Sequence, residues 1–95
     1  MFKSILKLMR ERIRKSQYVM TLHAEEEMND DQLSIYDIES VILTGEILER
    51  QKDSMTAEWK YRIKGRTIKE VDAELIAKIS PTGKLVIITV YILQK

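Results

Sequence analysis

The chain has no cysteine, one proline, three glycines and one histidine among its 95 residues. Each scarcity excludes something. Without cysteine there is no disulfide framework, no thiolate-bound zinc and no thiol nucleophile. One histidine rules out a site built on two imidazoles. So few glycines and prolines leave little material for long irregular loops. No apolar run approaches the roughly 20 residues that cross a bilayer. The opening stretch lacks a signal peptide's unbroken apolar core, because Lys3, Lys7, Arg10, Arg12 and Arg14 interrupt it. These absences point to a protein of the cytoplasm with no membrane span.

What is present is a well-mixed chain, 44% apolar and 33% charged. That is too apolar for disorder and short enough for one small domain over residues 1–95. The net charge of +1 hides an uneven distribution. Residues 1–20 carry six basic groups against one acid, giving +5. Residues 21–58 carry two against eleven, giving −9, and residues 59–95 carry eight against three, giving +5.

Residues 1–16 read as an amphipathic helix. Phe2, Ile5, Leu6, Met9 and Ile13 form its core face, and Lys3, Lys7, Arg10 and Arg14 form its solvated face. Tyr18–Met20 could be a short extended link. Thr21 offers a cap to a short helix that Asn29, Asp30 and Asp31 break. Ser34 with Asp37 makes a capping box for a helix over residues 35–44, stopped by Gly45. The apolar period then changes from 3.6 to 2. Strands are expected over 46–52, 59–64, 70–79 and 85–93, with turns near residues 53–56, 65–69 and 81–83. The last strand is almost wholly apolar and reads as central and buried on both faces. Helices first and strands after define an α+β fold with an antiparallel sheet of about four strands.

One hairpin register accounts for the third charged segment. Lys64 opposite Glu70 sets Arg62 against Asp72 and Lys60 against Glu74. Ile63, Tyr61 and Trp59 then meet Val71, Ala73 and Leu75 on the other face. Arg66 and Lys69 fall in the turn and stay free for a ligand.

No phosphate-cradling glycine loop, nucleophile elbow or zinc spacing occurs, so no metal or other cofactor is expected. His23 is the first residue to consider for acid–base work near neutral pH, although a lone histidine at a helix start is often structural. Thr89 and Tyr91 share one face of the last strand, where their hydroxyls could line a site.

Three stretches together resemble a known family. These are His23–Ala24–Glu25–Glu26–Glu27–Met28, the run Ile35 to Ile47 ending in Gly45–Glu46–Ile47, and the late Thr89–Val90–Tyr91. Their order resembles the domain-of-unknown-function family 4258, over roughly residues 20–92. The resemblance implies a RelE- and MqsR-like toxin fold, with helices before a curved antiparallel sheet. It implies a metal-independent endoribonuclease held by an antitoxin or other protein partner, with RNA as substrate. His23 would then be base or acid, and Arg66 with Arg62 or Lys64 would clamp the phosphate. Lys69 would add a further cation. Tyr91 or Tyr61 would donate a hydrogen bond or stack on a base. Glu27, however, stands where the family usually carries arginine, and Asp30, Asp31 and Gln32 stand at a later arginine position. An acidic surround opposes phosphate binding. The alternative is therefore a catalytically inactive protein-interaction module on the same fold, binding through the acidic patch or the first helix. Attachment of that helix to a membrane surface is a weaker third reading.

Overall fold

The computed structural model describes residues 2–93. Along the chain run α1 (Lys3–Arg14), β1 (Tyr18–Met20), α2 (Leu22–Asp30), α3 (Ile35–Thr44), β2 (Glu46–Lys52), β3 (Trp59–Arg66), β4 (Asp72–Ile79) and β5 (Leu85–Ile92). The strands form one sheet in the order β1-β5-β4-β3-β2. The helices cover one face. Met9, Ala24, Ile38 and Ile42 from the helices share a single core with Tyr61, Ile63, Leu75, Leu85, Ile87 and Val90 from the strands. The other face is uncovered and carries the alternate residues of β3 and β4.

The helix starts form as their residues dictate. Thr21 accepts the Ala24 amide at the start of α2. Ser34 and Asp37 close the capping box of α3. The second oxygen of Asp37 accepts the Ile68 amide at 3.0 Å and so ties α3 to the β3–β4 turn. Burial works to raise the Asp37 carboxyl, but these bonds from Ser34 and Ile68 outweigh it and hold the group below its ordinary value.

The far end of α3 has no basic residue of its own in its last turn. Arg10 of α1 supplies the charge, donating to Ile42 O at 3.2 Å and to Gly45 O at 2.8 Å. Orphan carbonyls and the negative end of the helix dipole are satisfied together. The neighbouring Arg12 donates to Gly83 O at 2.7 Å. Two of the basic side chains of α1 are thus spent on the body of the protein, and α1 packs on the domain through Met9 and Ile13.

Two expectations are corrected. The sheet has five strands, not four, and it is mixed. Tyr18–Met20 is a strand that pairs parallel to β5, with Val19 beside Val86. Three residues are too few to show a period of two. The β3–β4 hairpin is also four residues out of the expected register. Lys64 faces Glu74, Arg62 faces Ile76 and Arg66 faces Asp72. The turn is not residues 65–69. It is closed by Thr67 N–H to Val71 O and Glu70 N–H to Thr67 O, each at 2.9 Å, with Glu70 at a φ of 62°. Because the slip is an even number, every side chain keeps its expected face.

Gly65 explains the slip. It is not a turn glycine but lies within β3 under α3. A Cβ there would fall 2.1 Å from Val41 O and 3.0 Å from Gly45 Cα. Gly45 is equally tight, 2.4 Å from Val41 O and 2.5 Å from Lys64 O, and its φ of −94° needs no glycine. Both glycines serve close approach of helix and strand.

β5 is the second strand from one edge. It is buried on its helix face at Leu85, Ile87 and Val90, and half-buried on the other at Val86, Thr89 and Tyr91. An irregularity opposite Ile76 and Ala77 lets Ile87 and Val90, three apart, both reach the core.

Gly65→Ala should lower stability by about 3 kcal/mol, as forced overpacking against backbone does. The urea midpoint should fall with little change in slope. An unchanged midpoint would mean that α3 does not rest on β3.

Candidate functional site

The uncovered face of the sheet gathers charge around one carboxylate. Glu74 lies on β4, and its side chain is only 8% exposed. Arg62 on β3 donates through Nη1 to Glu74 Oε1 at 3.0 Å and through Nε to Glu49 Oε2 on β2 at 2.9 Å. Tyr91 on β5 donates its hydroxyl to the same Glu74 Oε1 at 2.5 Å. Lys64 stands opposite Glu74 in the ladder. Four strands therefore contribute to one network.

The geometry sets the protonation states. Burial would raise the Glu74 carboxyl. The bonds from Tyr91 and Arg62, with the charges of Arg62 and Lys64, outweigh burial and hold it below its ordinary value. The Tyr91 phenol is pushed up by its bond to Glu74, then by burial and the same negative charge. Arg62 is held more firmly protonated by its bonds to Glu74 and Glu49. At neutral pH the cluster is a carboxylate, a guanidinium and a neutral phenol. Both donors take Oε1, and among the described residues no side-chain or backbone donor takes Oε2. No fully buried polar side-chain atom lacks a partner there, so Oε2 reaches solvent.

The flanks are paired as well. Lys60 meets Asp53 at 3.6 Å, and Lys78 meets Glu58 at 2.6 Å.

The residues expected from sequence distribute unevenly. Arg62, Lys64 and Tyr91 come together around Glu74. Arg66 closes β3, is 57% exposed and lies 3.7 Å from Glu70. It shares with Lys64, Thr44, Glu46 and Asp72 a cleft of about 280 Å³. Lys69 stays in the turn, near enough to Asp37 to help lower its carboxyl. Tyr61 is buried on the helix face, its ring edge-on to Phe2 at 6.1 Å, and is not available to a base. His23 is 65% exposed on α2, with Nε2 3.3 Å from Glu27 Oε1. That same oxygen accepts the Val90 amide at 3.0 Å. Glu27 thus closes the edge of β5 where β1 ends, helped by Thr21, which donates to Ile88 O at 3.0 Å.

Sequence reasoning missed Glu74 as a site residue. Its signal was present: an acid alternating with apolar Ala73 and Leu75, between strands that offer Arg62 and Tyr91 on the same face. Among the described residues no three histidine or acidic side chains converge as metal ligands, and no helix is long and apolar enough to cross a membrane.

Residues 20–92 match the family model described as Domain of unknown function (DUF4258). The chain belongs to that family. No curated protein and no solved structure matches it.

The network makes stability depend on acid. A carboxyl held below its ordinary value of 4.5 contributes fully above that pH. The contribution is lost as pH falls through the lower folded value. Glu74→Gln should therefore flatten part of the fall in urea midpoint below about pH 4.5, leaving the parts due to Asp37 and Asp53, which are also held low. Arg62→Met should lower the urea midpoint more than Glu74→Gln at neutral pH, because it leaves a nearly buried carboxylate short of its cation. Equal acid slopes in wild type and Glu74→Gln would show that the network is not formed in solution.

Proposed function

We propose that the protein is a small toxin-like endoribonuclease that needs no metal, with its reaction on the uncovered face of the sheet. One observation carries this reading. A nearly buried carboxylate, a guanidinium and a phenol are joined on an open face, with Glu74 Oε2 free of donors among the described residues and Lys64 opposite in the ladder. A hydrogen-bonded cluster of a base, a cation and a proton donor on an uncovered face is the geometry that a reacting site needs. The likeness to RelE- and MqsR-like toxins belongs to the same proposal. It is supported by an α+β sheet with one face left bare.

The chemistry follows from the groups. Glu74 Oε2 takes the proton of a ribose 2′-hydroxyl. The 2′-oxygen attacks the adjacent phosphorus, and the bond from phosphorus to the 5′-oxygen breaks. The products are a 2′,3′-cyclic phosphate and a 5′-hydroxyl. Arg62 and Lys64 offset the charge that builds on the phosphoryl oxygens, and Arg66 adds to them from the neighbouring cleft. Tyr91, kept neutral, donates a hydrogen bond. Water protonates the leaving 5′-oxygen, because His23 is held by Glu27 on α2, over the other face of the sheet.

A second reading has its own observation. Arg62, Lys60, Lys78 and Arg66 all have carboxylate partners within the protein. A face that spends its cations internally suits a non-enzymatic interaction module on the same fold.

Inducible expression should arrest growth and fragment cellular RNA, and the purified protein should cleave single-stranded RNA in the presence of EDTA. Glu74→Gln should lower the rate by about 10²-fold or more, the scale of one general base. Tyr91→Phe should lower it less. Loss of cleavage with His23→Ala but not with Glu74→Gln would move the base to the histidine. No cleavage and no salt-sensitive RNA binding by folded wild type would leave the interaction module.

A further inference from the structure

The two edges of the sheet are treated differently. The β2 edge is blunted. It carries charge at Glu46, Glu49, Arg50 and Lys52, has a bulge between Ile47 and Glu49, and folds Arg50 over Trp59 at 4.1 Å. These are ordinary devices against further pairing. The β1 edge has none of them. Tyr18, Val19 and Met20 carry no charge, no proline and no bulge.

The backbone of β1 is half used. Thr21 N–H donates to Ile87 O at 3.0 Å, and Leu85 N–H donates to Gln17 O at 3.2 Å. In a parallel ladder this phase turns the Gln17 carbonyl, both groups of Val19 and the Thr21 amide toward β5, while the Gln17 amide donates to Arg12 O and the Thr21 carbonyl accepts the Glu25 amide. The amides and carbonyls of Tyr18 and Met20 point to the outer edge. Alongside that edge runs a groove of about 550 Å³, lined by Tyr18, Val19, Met20, Met28 and Ile35, with Glu25 on its wall. Val19 is among the exposed large apolar residues.

Charge selects the occupant. No lysine or arginine lies between Lys15 and Arg50, and the groove is built wholly from that stretch. Three of its acids are committed: Glu27 to the Val90 amide, Asp37 to the α3 cap and Glu39 to the Tyr18 hydroxyl. Glu25, Glu26, Asp30 and Asp31 are exposed, and among the described residues they make no ion pair. A second copy paired edge to edge would set these acids against their own kind. A basic chain would meet them as counter-charges.

We propose that the β1 edge and its groove bind an extended, lysine- or arginine-bearing segment of a partner protein as an added strand. Main-chain bonds to Tyr18 and Met20 would supply affinity, and the groove with the acids of α2 would supply selectivity. This docking is independent of any chemistry on the open face.

The test titrates the full chain with a fluorescent nine-residue peptide of alternating lysine and valine, at physiological salt. Three comparisons accompany it: the same peptide with glutamate for lysine, versions N-methylated at every second residue in either phase, and the Glu25→Lys/Asp30→Lys protein. Saturable binding is expected, weakened at least tenfold by the glutamate peptide, by one N-methyl phase and by the double substitution. Glu25 and Asp30 are exposed, so circular dichroism of the variant should match wild type. Equal binding of both N-methyl phases, equal binding of the glutamate peptide or no saturable binding would overturn the proposal. So would a dimer of the protein alone, seen by sedimentation, that excludes the peptide.

Discussion

The closeness of α3 to β3 governs the arrangement of everything else. Val41 O lies where a side chain on Gly45 or Gly65 would have to be, so helix and strand meet backbone to backbone. That contact holds Gly65 inside β3 and obliges the strand to run on to Arg66. The turn must then be made by Thr67–Val71, with Glu70 rather than a glycine in the left-handed region. Asp37 reinforces the choice by gripping Ile68 from the start of α3. Once the turn is placed there, β4 is set against β3 with Lys64 opposite Glu74. Arg10, reaching over from α1 to the last carbonyls of α3, binds the third helix into the same junction.

The open-face network is a consequence of that register. In the register with Lys64 against Glu70, Glu74 would have sat beside Lys60, toward the end of the hairpin. Four residues further along, it lies between Arg62 and Tyr91, where β5 covers it from one side and β3 from the other. Its charge is tolerable there only because two donors converge on it. The same economy appears at Glu27, whose carboxylate takes the place of a missing strand at the edge of β5. An acid that looks out of place against the family's usual arginine is, in this fold, a hydrogen-bond acceptor for backbone. His23 is drawn to it and away from the cations of the open face.

The sequence was legible wherever a period or a cap carried the information. The bounds of α3, the capping box of Ser34 and Asp37, the N-cap at Thr21 and the inward face of β3 all follow from residue spacing. Illegible were features whose cause is distant in sequence. Gly65 has the same appearance in sequence whether it turns the chain or admits a helix, and only the position of Val41 decides. The strand character of Tyr18–Met20 depends on Val86, too far along the chain to be read from three residues. Of the expected site residues, the alternation placed Arg62 and Lys64 on one outward face, and Thr89 and Tyr91 shared a face of the last strand. The burial of Tyr61 under Phe2 required knowing where α1 lies.

The charge distribution shows how much of a segment total remains after folding. The first +5 segment loses Arg10 and Arg12 to carbonyls of α3 and the β4–β5 turn, so its surface is less basic than its composition. The last +5 segment is largely offset by Glu49, Asp53 and Glu58, each ion-paired to one of its lysines or arginines. Two of these acids, Asp53 and Glu58, come from the β2–β3 connection. The −9 segment therefore divides in two. Its later acids are drawn into the open face and neutralised there. Its earlier exposed acids, Glu25, Glu26, Asp30 and Asp31, make no ion pair among the described residues, and no lysine or arginine is encoded between Lys15 and Arg50. Self-repulsion among these acids is tolerated only at the surface, where water screens it. Uncompensated charge therefore survives in two places of opposite sign, the exposed Lys3, Lys7 and Arg14 of α1 and the acids of α2 beside the unblunted β1 edge.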